Sequence, residues 1–430
     1  MSPYFLFEEA SRPFRVTSLY CHVEQAMAEI DMGIYNTLFP YYIEACAVTQ
    51  YHRRGAKPGG WGGHATIFMN GAEIDPGAGY PRLRLASAGA DLPSSDSGVG
   101  VSVNQIFTNV NWVAVPGRLD FFRGGLGAEQ VLDDSFHEAA VHRATSAGWF
   151  DGIAVRDALV RQKPHGMPLQ EFVVRHSIGT DFAMNFARTA YCARQPLARE
   201  ALGKVIAYLN AVNESARKRG YIWDAYTNNC SHVVHNAVAA AGVWDPKEAR
   251  SPGPTSVMRD VMSVAKAIAL GRMSDFSFPA NTFVRLYEAG NERPIEDAVA
   301  ASRNHDIART MNDGWLSTGP GALIATHPMH DGGRNRLFAA GRDPFLFSIP
   351  MLWDKEEKFR RLTRTPPLTV TDLYANLTHF RDRYLEALAT QPASNGDTFG
   401  ERFRERLAEE LHRTDSLIAG YRLLDGARSR

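Results

Sequence analysis

The chain has 430 residues, with 47 Lys and Arg against 47 Asp and Glu, 44% hydrophobic residues and four cysteines. This length suggests two or three domains, or one enlarged enzyme-like domain. The apolar content excludes a wholly disordered or fibrous chain. The balanced charge argues against a nucleic-acid-binding protein, because such proteins usually carry a broad basic surface.

Cysteine usage and the N-terminal sequence predict the compartment. Cys21, Cys46, Cys192 and Cys230 are scattered without a C-x-x-C pair, which is typical of free thiols in a reducing compartment. The first residues, MSPYFLFEEASRPFR, lack the basic region and uninterrupted apolar run of a signal peptide. No segment reaches the roughly 18 apolar residues of a spanning helix. We therefore expect a cytoplasmic protein without membrane insertion.

The N-terminal 120 residues have a strand-like pattern, in which short apolar runs alternate with Gly, Pro and Asn. The clearest segment is HATIFMNGAEID, where Asn70-Gly71 predicts a two-residue hairpin turn. In such a hairpin, His64, Glu73 and Asp75 share one face, and Asp75 is the diagonal neighbour of His64 at about 7 Å. The run SVNQIFTNVNWVAVPG predicts a third strand, from which an amide side chain could hydrogen-bond His64 or substrate; the candidates are Asn104, Gln105, Asn109 and Asn111.

Helical patterns follow from about residue 129 to 242, including LAREALGKVIAYLNAVNESARKRG, which ends at Gly220. Because the strands precede the helices, the sequence predicts an α+β fold rather than alternating βαβ units. The segment ARSPGPT, residues 249–255, predicts a linker between a catalytic domain at 1–248 and a mainly helical region at 256–430. That second region contains a Gly-rich loop at 314–333 and ends in FGERFRERLAEELHRTDSLIAGYRLL, which predicts a pair of amphipathic helices.

The segment YTNNCSHVVHNAVAAAG carries the strongest chemical signal. Asn228 or Asn229 can cap a helix that begins near Cys230. A helix N-terminus stabilises a thiolate and lowers the thiol pKa from its free value of about 8.5, which makes the sulfur a better nucleophile. The alternative interpretation is that Cys230 is an inert buried cysteine.

A thiolate nucleophile needs a basic partner, and His64 opens a strand directly after a glycine cluster that leaves room for a substrate. Asp75 is our first choice to orient the imidazole and Glu73 our second. Both acids could instead be solvated hairpin residues. The order, with the histidine strand before the cysteine helix, is that of a circularly permuted papain-like (NlpC/P60-type) domain.

The blocks GGHATIFMNG and YTNNCSHVVHNAV resemble the two signature blocks of the DUF4105 family, the Lnb-type lipoprotein N-acyltransferases, over about residues 58–245. The resemblance implies that Cys230 accepts an acyl group as a thioester, assisted by His64, and passes it to an amine. It also implies that Tyr226 and Asn229 lie near the oxyanion. Trp61 and Gly63, just before His64, are further candidates for substrate contact.

Because no targeting segment accompanies these blocks, we expect a soluble acyl donor, such as a thioester on a carrier protein or coenzyme A, and an amine acceptor. An amidase or peptidase using the same dyad is the alternative, as is a non-catalytic binding protein of this fold. We expect neither a cofactor nor a metal. The cluster Cys230, His232 and His235 could suggest zinc, but helical geometry displaces the cysteine from both histidines by roughly 140–160°.

Overall fold

The computed structural model of the chain describes residues 32–48, 64–87, 96–127, 129–186, 188, 190–224, 228–241, 319–328, 330, 371–390 and 398–428. These residues form a mixture of helices and sheet, which confirms the predicted α+β class.

The main sheet has six strands, all of whose neighbouring pairs are antiparallel. Its members are β1 (Tyr42–Val48), β2 (His64–Asn70), β5 (Val99–Val103), β6 (Trp112–Pro116), β7 (Ala190–Pro196) and β8 (Leu323–His327). Their spatial order is β6-β5-β2-β1-β7-β8. A second sheet pairs β3 (Ala72–Ile74) with β4 (Leu83–Leu85).

The predicted hairpin at Asn70-Gly71 is wrong. Strand β2 takes its partners from β1 and β5, whereas β3 pairs with β4. Gly71 still makes a turn, with φ of 83°, but the turn sends the chain into the second sheet. All seven residues of β2 are buried, and both edges of the strand are already occupied, so no edge is left for β3.

The helices lie around these sheets. In chain order they are α1 (residues 32–38), α2 (Arg118–Arg123), α3 (Asp134–Ser146), α4 (Asp157–Val160), α5 (Leu169–Ser177), α6 (Arg199–Arg219), α7 (Cys230–Ala240), α8 (Leu373–Thr390) and α9 (Thr398–Arg428). Helix α2 packs on β5 and β6, while α7 packs beside α6 and over β2 and β5. The helix predicted to end at Gly220 is α6. The tail is one 31-residue helix, α9, rather than the predicted pair.

Strand β8 changes the predicted domain division. It comes from the segment predicted as a Gly-rich loop, yet it pairs with β7 along the edge of the main sheet. The sheet therefore includes residues from both sides of the predicted linker. The linker itself, residues 249–255, lies outside the described residues.

Two cysteines also depart from the expectation of free thiols. Cys46 on β1 and Cys192 on β7 are direct cross-strand neighbours and form a disulfide. No local pattern predicts this pairing, because the two cysteines are 146 residues apart. Cys230 is a free cysteine.

None of the helices that the structure describes is both long enough and apolar enough to span a bilayer.

Candidate functional site

Two clusters of polar side chains lie on one face of the main sheet. Thr66 on β2 stands opposite both Cys46 and Ser102, and Cys46 stands opposite Cys192. Side chains two residues apart on a strand share a face, so His64 joins this set. One cluster is centred on His64 and the other on Glu44.

The first cluster connects His64 to a buried carboxylate through a serine. His64 Nε2 lies 2.8 Å from Ser102 Oγ, and Ser102 Oγ donates to Asp181 Oδ1 at 2.7 Å. Asn104 Nδ2 donates to the other oxygen of Asp181 at 2.8 Å. All four side chains are buried. We call this set the His64 network.

The hydrogen bonds of this network select one tautomer of His64. The serine proton is directed at Asp181, so Ser102 Oγ accepts at its other side, and Nε2 of His64 is then the protonated nitrogen. Within the part of the chain that the structure describes, Nδ1 makes no hydrogen bond, and its lone pair can accept a proton. Burial, together with the positive charge of Arg188, lowers the pKa of His64 well below its usual range. The imidazole is therefore neutral at pH 7 and has the form of a base.

Asp181 is the only member of the His64 network with a carboxyl group. Burial raises its pKa, while hydrogen bonds from Asn104 and Ser102 oppose that rise. The network contains the side chains of a Ser-His-Asp triad, but in the wrong order. In a serine hydrolase the histidine lies between serine and aspartate. Here Ser102 lies in the middle, which suits it to orient the imidazole rather than to attack a substrate.

Cys230 is the first residue of α7, as predicted. Asn229 caps the helix, since its Oδ1 accepts from His232 N at 3.3 Å and lies 2.9 Å from His232 Nδ1. Four apolar side chains of α7 are buried, namely Val233, Val234, Ala237 and Val238. The helix N-terminus thus presents the sulfur at the place where the macrodipole favours a thiolate.

Helix α7 packs over β2, so the structure brings together the elements that carry Cys230 and His64. The His64 imidazole bonds to Ser102, and no hydrogen bond joins it to Cys230 in the described residues. A neighbour of the sulfur is Tyr221. Its hydroxyl is buried without a described hydrogen-bond partner, and burial together with the proximity of Cys230 raises its pKa.

The two acids predicted to orient His64 lie elsewhere. Glu73 pairs with Arg84 at 2.7 Å, and Asp75 accepts from Gly77 N at 3.2 Å and lies 3.8 Å from Arg82. Strand β2 is seven residues long, so its two ends are roughly 20 Å apart. His64 is at the first end, whereas Glu73 and Asp75 follow the turn at the second. Their assignment as orienting groups was wrong because it depended on the hairpin register.

Three predicted substrate residues, Trp61, Gly63 and Tyr226, lie outside the described residues, as does the side chain of His235.

Sequence reasoning missed Ser102 and Asp181. A sequence signal existed only for Asn104, which was among the amide candidates near His64. It bonds to Asp181 and so reaches His64 indirectly. Asp181 lies 79 residues from Ser102, in a segment after α5 with no motif of its own.

The second cluster is ionic and centred on Glu44 of β1. Arg194 Nε lies 2.6 Å from Glu44 Oε1, and Arg118 Nη1 lies 2.8 Å from the same oxygen. His327 Nε2 lies 3.1 Å from Glu44 Oε2. Burial by itself raises the pKa of Glu44, but the two arginines and His327 hold it well below its usual range. We call this set the Glu44 cluster.

Comparisons of the chain with protein families, curated proteins and solved structures find no significant match. Its function is therefore inferred from the site itself.

Proposed function

We propose that the protein is a cysteine-dependent acyltransferase of circularly permuted papain-like architecture, with Cys230 as nucleophile and His64 as base. The observation that carries the proposal is the orientation of His64. Its Nε2 is anchored by Ser102 and Asp181, and its Nδ1 is left to accept a proton. Cys230 begins the helix that packs over the strand opened by His64.

The chemistry proceeds in two steps. Cys230 Sγ transfers its proton to His64 Nδ1 and attacks the acyl carbonyl of the donor, which expels the donor's thiol or alcohol and leaves a thioester. An amine then attacks the thioester carbonyl, gives up a proton, and releases the Cys230 thiol with an amide as product. Both steps need the sulfur and Nδ1 to approach each other. Catalytic hydrogen bonds are often formed only when substrate is bound.

The proposed donor is a soluble acyl thioester and the acceptor an amine. Hydrolysis by the same residues is the second candidate function, since water in place of the amine would give an amidase or peptidase. The buried hydroxyl of Tyr221 has no hydrogen-bond partner among the described residues and lies close enough to Cys230 for their charges to interact, so it suits either reaction as a donor to the oxyanion.

Intact-protein mass spectrometry tests the proposal. The protein is incubated with an acyl-coenzyme A or an activated acyl ester, and an adduct of the acyl mass is expected on Cys230. Cys230→Ala should show none. His64→Gln should form the adduct about 10²- to 10⁴-fold more slowly, as expected for loss of a general base.

His176→Gln is the matched control, because His176 is equally buried and its Nδ1 lies 2.9 Å from Phe172 O rather than in the His64 network. It should acylate at the wild-type rate. Full modification of Cys230→Ala, or equal rates for His64→Gln and wild type, would contradict the proposal. Adding an amine or only water to the isolated adduct then separates a transferase from a hydrolase.

A non-catalytic protein of this fold makes a different prediction. Its Cys230 would react with iodoacetamide no faster than an ordinary thiol, whereas an activated Cys230 should alkylate much faster at neutral pH.

A further inference from the structure

The Glu44 cluster contains more metal-binding groups than its ion pairs require. Glu44, Cys192 and His327 lie on the adjacent strands β1, β7 and β8, and one ligand atom from each lies within 4.8 Å of the other two. Cys192 is bonded to Cys46, and the sulfur of Cys46 is therefore a fourth potential ligand. Carboxylate, imidazole and thiolate are the three ligand types that zinc takes in proteins.

The redox state of the disulfide sets the charge of this cluster. With the disulfide intact, one carboxylate faces two arginines, Arg118 and Arg194, and the excess charge is positive. A cation is then repelled. Reduction and deprotonation would add two thiolates and make the excess negative. A bound divalent ion would restore the original balance.

We propose that reduction of the Cys46–Cys192 disulfide opens a zinc site formed by Cys46, Cys192, His327 and Glu44. The proposal is independent of acyl transfer at Cys230.

Zinc uptake begins with reduction of the disulfide. A dithiol or phosphine reductant supplies two electrons, the S–S bond breaks with uptake of two protons, and the reductant is oxidised. Zinc then binds both sulfurs and displaces those two protons. The imidazole nitrogen of His327 and one carboxylate oxygen of Glu44 complete the set of four ligands.

The positions of the ligand atoms suit this change. In a tetrahedral zinc site, ligand atoms are about 3.3–3.8 Å apart, so the group within 4.8 Å needs to contract by about 1 Å. Glu44 Oε2 faces His327, while Oε1 keeps its contact with Arg194. The imidazole is held in place by stacking on Phe122, with ring centroids 3.6 Å apart. Arg118 Nη2 lies 3.1 Å from both Glu44 Oε2 and His327 Nε2, so metal binding requires this nitrogen to move away, while Glu44 Oε1 stays paired with Arg194.

The experiment measures zinc in the full-length protein before and after reduction. Oxidised protein, and protein reduced with a phosphine, are each exposed to Zn²⁺, passed through a desalting column and analysed for metal. We expect about one additional zinc per chain after reduction. Co²⁺ in place of Zn²⁺ should give a thiolate-to-metal charge-transfer absorption only in the reduced protein.

Two variants test the ligands. Cys192→Ser and His327→Gln should each weaken zinc binding at least about 10-fold, measured by competition with a chromophoric chelator. Cys230→Ala and His176→Gln are the controls and should bind zinc as wild type does. Cys230→Ala also excludes the sequence cluster Cys230, His232 and His235 as the source of the metal. Because Cys192→Ser removes a disulfide that supports folding, circular dichroism accompanies each measurement, and His327→Gln keeps the disulfide.

Several results would overturn the proposal. They are a folded, reduced protein that gains no zinc, equal zinc in the oxidised and reduced forms, or binding that His327→Gln leaves unchanged.

Discussion

The His64 network and the Glu44 cluster lie on the same face of one sheet, but the buried titratable group is neutral in the first and charged in the second. In the Glu44 cluster, two arginines compensate a buried carboxylate, which stays ionised. In the His64 network, burial and the charge of Arg188 keep the imidazole neutral, and the hydrogen bonds fix its orientation. The Glu44 cluster keeps its groups charged by pairing them, whereas the His64 network allows Nδ1 of His64 to take up a proton.

The difference shows why a buried titratable group need not be functional. Buried charges persist when they are paired, and removing one partner is costly because the other is left uncompensated. A buried base without a counter-charge is destabilising if it is protonated, so it suits a site that holds a proton only briefly. Four predictions test this contrast, from the largest expected effect to the smallest.

Replacing the central carboxylate should be the most damaging change. Glu44→Gln leaves Arg118 and Arg194 buried without a counter-charge, and we expect a loss of about 3–5 kcal/mol in the free energy of unfolding. Urea denaturation measures it. The matched control is Glu73→Gln, which breaks the exposed pair with Arg84 and should cost about 0–1 kcal/mol. Similar losses for both variants would show that the Glu44 cluster is not a stabilising unit.

Acid should destabilise the protein through His327. Burial, only partly offset by Glu44, lowers the pKa of His327 to about 4 from its ordinary 6.5. The unfolded chain therefore binds a proton that the folded protein does not, and stability falls as pH drops from 6.5 toward 4. The expected loss is about 3 kcal/mol.

Unfolding measured across this pH window checks the prediction. His64 titrates in the same direction, so His327→Gln should reduce the slope without abolishing it. His142→Gln, on the exposed side of α3, should leave the slope unchanged. A wild-type slope in His327→Gln would contradict the prediction.

The carboxylate of the His64 network should matter less to stability but more to reactivity. Asp181→Asn places an amide donor where Ser102 or Asn104 already donates, and should cost about 1–3 kcal/mol. It should also slow acylation of Cys230, because His64 loses its fixed tautomer. Asp75→Asn is the control, with a stability change within about 0.5 kcal/mol and wild-type acylation. The reverse result would restore Asp75 as the orienting group.

The smallest effect is expected at the cap of α7. Asn229→Ala removes the acceptor for His232 N and should destabilise the protein by about 1 kcal/mol. It should also slow alkylation of Cys230 by iodoacetamide, since the first turn frays. Asn228→Ala, at the neighbouring half-buried position, should have less effect on both measurements. Equal effects would mean that Asn229 is not the residue that caps the helix.

Local patterns were sufficient for several elements. The helix ending at Gly220 and the capped helix beginning at Cys230 are where the sequence predicts them, because periodicity, caps and stops act over a few residues. The hairpin prediction was wrong for the opposite reason. Asn70-Gly71 specifies a turn, but the strand on its far side pairs with whichever edge the fold provides, and β4 provided it.

The sequence by itself determined the α+β class, the position of Cys230 at a helix N-terminus and the position of His64 at the start of a strand. Only the tertiary structure decided that Asp181 rather than Asp75 is connected to His64, through Ser102, and that Cys46 pairs with Cys192. It also decided that β8 joins the main sheet across the predicted domain boundary. The physical reason is that caps and periodicity are local, whereas strand register and buried hydrogen bonds join residues far apart in the chain.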